Sequence, residues 1–212
     1  MKLTIVYDNE VCQAGLENAW GFACLVEENG RRLLFDTGGK GGVLLSNMEK
    51  LKVNPKSIQE IFISHNHWDH IGGLEDFLGV NPGVTLYLPA SCPKPRGAAK
   101  IVSVQGSCSL SGDWYSTGEL PNEEQSLVVK TDRGLLVLVG CSHPGVGEIF
   151  KAASRFGRVT ALVGGLHGFK DFDLLAGLDL VCPCHCTKFQ ADIFTLYPKT
   201  TVRGGVGRVL EF

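Results

Sequence analysis

Six consecutive residues of this 212-residue chain, His65-Asn66-His67-Trp68-Asp69-His70, offer four nitrogen or oxygen donors. Imidazole and carboxylate together suit zinc, iron or manganese. Residues 60–64 read as a strand that ends at the first histidine. Ile71-Gly72-Gly73-Leu74 follows the cluster as a tight turn. A strand end fixes the first donor, and the turn swings the others toward the same point. Such a loop reaches an ion from one side only, so distant donors must complete a tetrahedral shell.

His143 and His185 are the candidates for that completion. His143 lies in Gly140-Cys141-Ser142-His143-Pro144-Gly145, just after a strand-like run at 134–139. His185 lies in Cys182-Pro183-Cys184-His185-Cys186-Thr187, just after a run at 180–182. Parallel or adjacent strands would bring these ends together at one sheet edge. His167, in Gly164-Gly165-Leu166-His167-Gly168, also follows a strand-like run. It reads as a ligand, a substrate hydrogen-bond donor or a proton carrier, because free imidazole titrates at ~6.5.

Three thiols crowd around His185 and could form an additional soft metal site, but they lie too close in sequence to wrap one ion easily. Cys184 and Cys186 therefore read first as thiols lining the pocket, with direct metal or redox chemistry as the alternative. Cys12, Cys24, Cys92 and Cys108 read as ordinary thiols. Thr187 reads as the N-cap of a helix over 187–196, whose amino end would suit a phosphate or carboxylate.

The elements that position these groups are short. Strand-like runs at 3–7, 21–27, 32–35, 60–64, 85–88, 125–130, 134–139, 159–163, 180–182 and 201–202 are bounded by Gly, Pro, Asn or Asp. Helical periodicity appears at 42–51, 146–156, 171–178 and 187–196. Strands come first and helices separate them later, which predicts an α/β chain with two mixed sheets and outer helices, an αββα sandwich. The stretch 81–122 is the least regular and holds Pro82, Pro89, Pro93, Pro95 and Pro121. It reads as a lid or loop insertion over the site. No internal repeat or linker divides the chain, so residues 1–212 read as one domain.

Composition excludes several classes. A net charge of -2 advertises neither nucleic acid nor an anionic membrane surface. No apolar run approaches the ~20 residues of a membrane helix. The amino terminus reads as a strand rather than a leader, which predicts a cytoplasmic chain with reduced thiols. The 27 glycines imply many tight turns. The expected partner is a small molecule. The oligomeric state is not written in the sequence.

The His-x-His-x-Asp-His run, with Leu34-Phe35-Asp36-Thr37-Gly38 before it, resembles the metallo-β-lactamase superfamily. The passages 140–145, 164–167 and 184–187 are similar to its branch of dihydropterin synthase-like and ribofuranosylaminobenzene 5′-phosphate synthase-like metallohydrolases. The resemblance implies a four-layer αββα fold and two divalent metal ions, zinc ahead of iron or manganese. It implies that His65, His67 and His143 hold the first ion, and that Asp69, His70 and His185 hold the second. Water activated there would attack an electrophilic carbon or phosphorus. Asp69 and His167 are the implied catalytic groups, and Asp36 would fix the tautomer of a ligand histidine.

One departure stands out. Most superfamily hydrolases place a bridging aspartate after the strand at 134–139. This chain has Gly140-Cys141 there, and the next carboxylate is Glu148. Cys141 is therefore either a softer ligand or the sign of a missing bridge. Two other activities fit the same scaffold. Di-iron oxygen reductases resemble His-x-Glu-x-Asp, but His67 stands at the glutamate position. A ligand-binding module without turnover would fit the missing bridge. The sequence favours a metal-dependent hydrolase of a phosphoester, lactone or thioester.

Overall fold

The computed structural model describes all residues, 1–212. The first part of the chain lays down β1 (Lys2–Tyr7), β2 (Ala23–Glu28) and β3 (Arg31–Phe35), then helix α1 (Gly41–Lys50). Strand β4 (Glu60–Phe62) follows, then the short helices α2 (Trp68–Ile71) and α3 (Leu74–Val80). Strands β5 (Thr85–Pro89) and β6 (Lys100–Val104) complete this part. The second part contains β7 (Gly106–Ser111), β8 (Trp114–Gly118), β9 (Leu127–Thr131) and β10 (Gly134–Val139). It continues through α4 (Val146–Ala153), β11 (Val159–Gly165), β12 (Leu180–Cys184) and α5 (Gln190–Leu196). A last strand, β13 (Val209–Glu211), returns to the first sheet beside β1.

The first sheet has the order β13-β1-β2-β3-β4-β5-β6, and the second has β12-β11-β10-β9-β8-β7. Both are mixed. Strands β3 to β6 run parallel, as do β10, β11 and β12.

Alternation along each strand explains the layering. Leu3 and Ile5 of β1, with Leu136 and Leu138 of β10, bury into the core between the sheets. Val6 faces the other way and packs with Leu44 and Met48 of α1 and Phe77 of α3. Leu135, Val137 and Val139 likewise pack outward, with Val146 and Ile149 of α4 and Ile193 of α5. Central strands buried on both faces read as continuous apolar runs, as Leu135-Leu136-Val137-Leu138-Val139 does. The expected αββα sandwich is the observed fold. No helix is long and apolar enough to cross a membrane.

Four local expectations are corrected. Residues 81–122 are not an irregular lid: they contain β5, β6, β7 and β8, including one edge strand of each sheet. The helix expected at 171–178 is a 3-10 turn, Phe172–Leu175. The strand expected at 201–202 is a single bridge between Val181 and Thr201. The helix expected from Thr187 starts at Gln190, and its preceding residue is Phe189, with no side-chain cap. The Thr187 hydroxyl instead accepts from the Leu166 amide and donates to the Cys184 carbonyl. It ties the loop after β11 to the loop after β12. The resulting seven-residue α5 does not present its amino end at Thr187.

Candidate metal centre

Carboxyl ends of strands from both sheets converge on one place. Asp36 follows β3, and His65 follows β4 after two further residues. Ser142 and His143 follow β10, His167 follows β11, and His185 follows β12. Asp36, Ser142, His167 and His185 have φ values of 54°, 60°, 41° and 46°. Left-handed backbone at four loop positions is uncommon for residues other than glycine. It reverses each chain direction just past its strand and gathers these loops at one site.

The predicted donors come together in two groups. One donor atom from each of His65, His67 and His143 lies within 4.8 Å of the others, and the same holds for Asp69, His70 and His185. The distances within the groups are short. His65 Nε2 lies 3.0 Å from His67 Nδ1, and His185 Nε2 lies 3.1 Å from Asp69 Oδ2.

The outer nitrogens decide what the inner ones can do. His70 Nδ1 contacts Asp36 Oδ2 at 2.7 Å, and Ser64 Oγ donates to the same oxygen at 2.7 Å. Ser64 Oγ, its own proton so placed, accepts from His65 Nδ1 at 2.9 Å. The Ser64 amide donates to Asp36 Oδ1. Burial pushes the Asp36 carboxyl up, and the Ser64 amide and hydroxyl oppose that shift. With three donors on two oxygens, Asp36 is the common acceptor. Both His65 and His70 then carry their proton on Nδ1 and present a bare Nε2 inward. His185 Nδ1 donates to Asn9 Oδ1 at 3.0 Å, an oxygen that also accepts from the Gly21 amide. Its Nε2 is therefore bare as well.

Bare nitrogens that face one another, or a carboxylate oxygen, repel until a cation stands between them. His143 Nε2 is buried without a hydrogen-bond partner. Burial and the neighbouring histidines push His65 and His70 down, and burial first of all pushes His143 down to about 4. All three are thus neutral near neutral pH, the form that ligates metals. The donor set fits divalent metal.

Several supporting residues carried no sequence signal. Glu124 is buried, and its Oε1 accepts from the Cys141 and Ser142 amides while Oε2 accepts from the His143 amide. Burial pushes its carboxyl up to about 7 against those three amides. The Trp20 indole donates to Asp69 Oδ2 at 2.9 Å, although the residue is half exposed. Asp8 accepts from the His185 amide, and its carboxyl is pushed up to about 6 by burial.

The remaining predicted site residues fall in different places. The His167 ring sits 5.2 Å from the His143 ring, beside the first group and outside it. Cys141 Sγ lies 3.2 Å from His70 Nε2 and 3.2 Å from Cys186 Sγ. Hydrogen bonding between these two thiols holds Cys186 down to about 6 and pushes Cys141 up. Cys184 packs against Cys182 in the core between the sheets and also borders a cleft lined by Asp8, Asn9 and His185. Cys24 and Cys92 are buried thiols, Cys108 is half-buried and Cys12 is exposed.

The family profile of the metallo-beta-lactamase superfamily matches residues 21–149, from β2 into α4. The chain belongs to the metallo-beta-lactamase superfamily. Over 92% of its length it is 26% identical to a protein of the archaeon Methanocaldococcus jannaschii, and the match covers 90% of that protein. That relative is named 7,8-dihydropterin-6-methyl-4-(beta-D-ribofuranosyl)-aminobenzene-5'-phosphate synthase. The solved structure of Tm1679, described as a metal-dependent hydrolase of the beta-lactamase superfamily, superposes with a TM-score of 0.79. It is 26% identical, with 100% of this chain and 99% of that one covered. A hydroxyacylglutathione hydrolase of Salmonella gallinarum is 31% identical over 97 residues, 46% of this chain and 37% of that protein. As a metallo-beta-lactamase superfamily member, the chain shares its scaffold with metal-dependent hydrolases, and its His/Asp/Cys clusters are candidate metal-binding groups.

Proposed function

We propose that the protein is a metal-dependent hydrolase with two divalent ions, zinc in preference to iron or manganese, acting on a small anionic molecule. The observation that carries this reading is the pair of adjacent donor groups with their bare nitrogens turned inward. His65, His67 and His143 hold the first ion, and Asp69, His70 and His185 the second. Bound there, the metals supply a nucleophile from water at neutral pH and stabilise developing negative charge on the substrate.

The protein's own groups do the rest. Asp36, directly and through Ser64, keeps two ligand nitrogens unprotonated. Asn9 does the same for His185. Glu124 holds the three amides that set the His143 loop. His167 borders a cleft of about 420 Å³ that His143, Lys170 and the first residues of α4 also line. That size suits a small ligand. There His167 is placed to donate a hydrogen bond to substrate or to carry a proton to the leaving group. Lys170 and the α4 amino end, set against Asp171 on the same cleft, favour a negatively charged substrate. The methanogen relative's named product carries a phosphate, which fits this preference. Phosphoesters therefore come ahead of lactones and thioesters.

The test is hydrolysis of a panel of phosphomonoesters, phosphodiesters, lactones and thioesters by the purified chain. The reading expects activity on an anionic member, lost on chelation, restored by zinc and abolished in His67→Ala. Activity that survives chelation, or full activity in His67→Ala, overturns it.

A further inference from the structure

The two donor groups supply only one fixed negative charge, on Asp69, to two dications. A second anionic ligand between them would balance the centre, and no carboxylate stands there. Glu124, from the segment before β9, reaches the loop after β10, but three backbone amides occupy its oxygens.

A sulfur does stand there. Cys141 Sγ faces His70 Nε2 at 3.2 Å, and donor atoms of Cys141, His65 and His70 lie within 4.8 Å of one another. His65 belongs to the first histidine group and His70 to the second. Donor atoms of Cys141, His185 and Cys186 form a further cluster of the same tightness. Cys141 thus touches both sides of the centre, and Cys186 touches only the second. Placement is enforced by the chain. Gly140 brings the loop so close to Ser64 and His65 that any side chain there would collide with the Ser64 hydroxyl. Glu124 then pins the Cys141 amide.

We propose that the Cys141 thiolate is the ligand shared by both metal positions, with Cys186 as a second sulfur at the position held by Asp69, His70 and His185. The inference rests on the metallohydrolase reading and adds to it a mixed nitrogen–sulfur centre. Each thiol gives its proton to solvent as the metal–sulfur bond forms. Soft sulfur selects zinc or cobalt over manganese or magnesium. Of the other buried thiols, Cys24, Cys182 and Cys184 lie in the core between the sheets, and Cys92 packs with the α1 and α3 side chains.

Cobalt(II) is the probe, added to metal-free protein while the near-ultraviolet sulfur-to-cobalt charge-transfer absorption and the bound equivalents are followed. The parent protein is expected to show that absorption and to bind two equivalents. Cys186→Ala should weaken the absorption. Cys141→Ala should lose most of it and bind the second cobalt on the order of tenfold more weakly. Cys141→Asp should recover the second equivalent without recovering the Cys141 share of the absorption. That recovery also separates loss of a ligand from loss of fold. Cys182→Ala should behave as the parent. Two cobalt ions bound without sulfur absorption, or Cys141→Ala binding as the parent does, overturns the sulfur assignment and leaves the hydrolase reading standing. Failure of the parent to bind cobalt, or binding unaffected by His67→Ala, overturns both.

Discussion

His185 Nε2 and Asp69 Oδ2 stand 3.1 Å apart, a nitrogen stripped of its proton by Asn9 facing a carboxylate oxygen. A cation between them satisfies both atoms. The pair His65 Nε2 and His67 Nδ1, 3.0 Å apart, places two donor nitrogens together on the other side of the centre. Two such meeting points side by side fit the pair of divalent ions proposed above.

Asp36 governs two of these nitrogens at once. In Asp36→Asn the amide has one acceptor oxygen for three donors, and its NH2 competes with the histidine proton. His70 is then free to carry its proton on Nε2, where the metal would bind. Metal affinity should fall roughly ten- to a hundredfold, the usual effect of removing a ligand's hydrogen-bond partner. Competition with a chromophoric chelator measures it, and unchanged affinity would contradict the role assigned to Asp36.

Glu124 is a structural anchor without a redundant partner. Glu124→Ala would leave the Cys141, Ser142 and His143 amides buried and unpaired. Each such loss costs about 1–3 kcal/mol, so a destabilisation of at least about 3 kcal/mol is expected. Urea unfolding of the chelated protein reads it directly. A loss below about 1 kcal/mol would show that water or another group satisfies the loop.

Three ligand histidines should each cost the metal-free protein stability on acidification through the histidine range. His65, His70 and His143 are depressed in the fold, and His143 lies at about 4. Bases with lowered folded values bind fewer protons folded than unfolded. Their contribution is present above the unfolded value of ~6.5 and is lost as pH falls below it. Glu124, raised to about 7, acts oppositely. Its contribution is present below its unfolded value and is lost as pH rises through about 7. Asp8, raised to about 6, and Asp36, also raised, act in the same direction as Glu124. Substitution isolates the histidine share: between pH 7 and pH 5 chelated His143→Gln should lose less stability than the chelated parent, and an equal or larger loss would contradict the buried, neutral state of His143.

Much of this centre was legible because its donors sit at strand ends. Periodicity located β4, β10, β11 and β12, and a histidine just past each strand named a position before any geometry was known. The sheet edges were harder. Gly106-Ser107-Cys108-Ser109-Leu110-Ser111 forms β7 with few β-branched or aromatic residues and little burial, so neither propensity nor alternation betrays it. Thr187 carried an N-cap signature, but its hydroxyl ties two loops together, a tertiary use that local spacing does not reveal. Glu124 lies 17 residues before the first amide it binds, in a stretch without motif, and only the fold brings them together.

Metal content per chain tests the account most directly. Protein purified without added metal and measured by inductively coupled plasma mass spectrometry should carry two equivalents, chiefly zinc. His67→Ala and His185→Ala should each fall to one or fewer, because each removes a ligand from a different group. A parent protein with no bound metal, or variants that both keep two equivalents, would contradict a dinuclear centre built from these histidines.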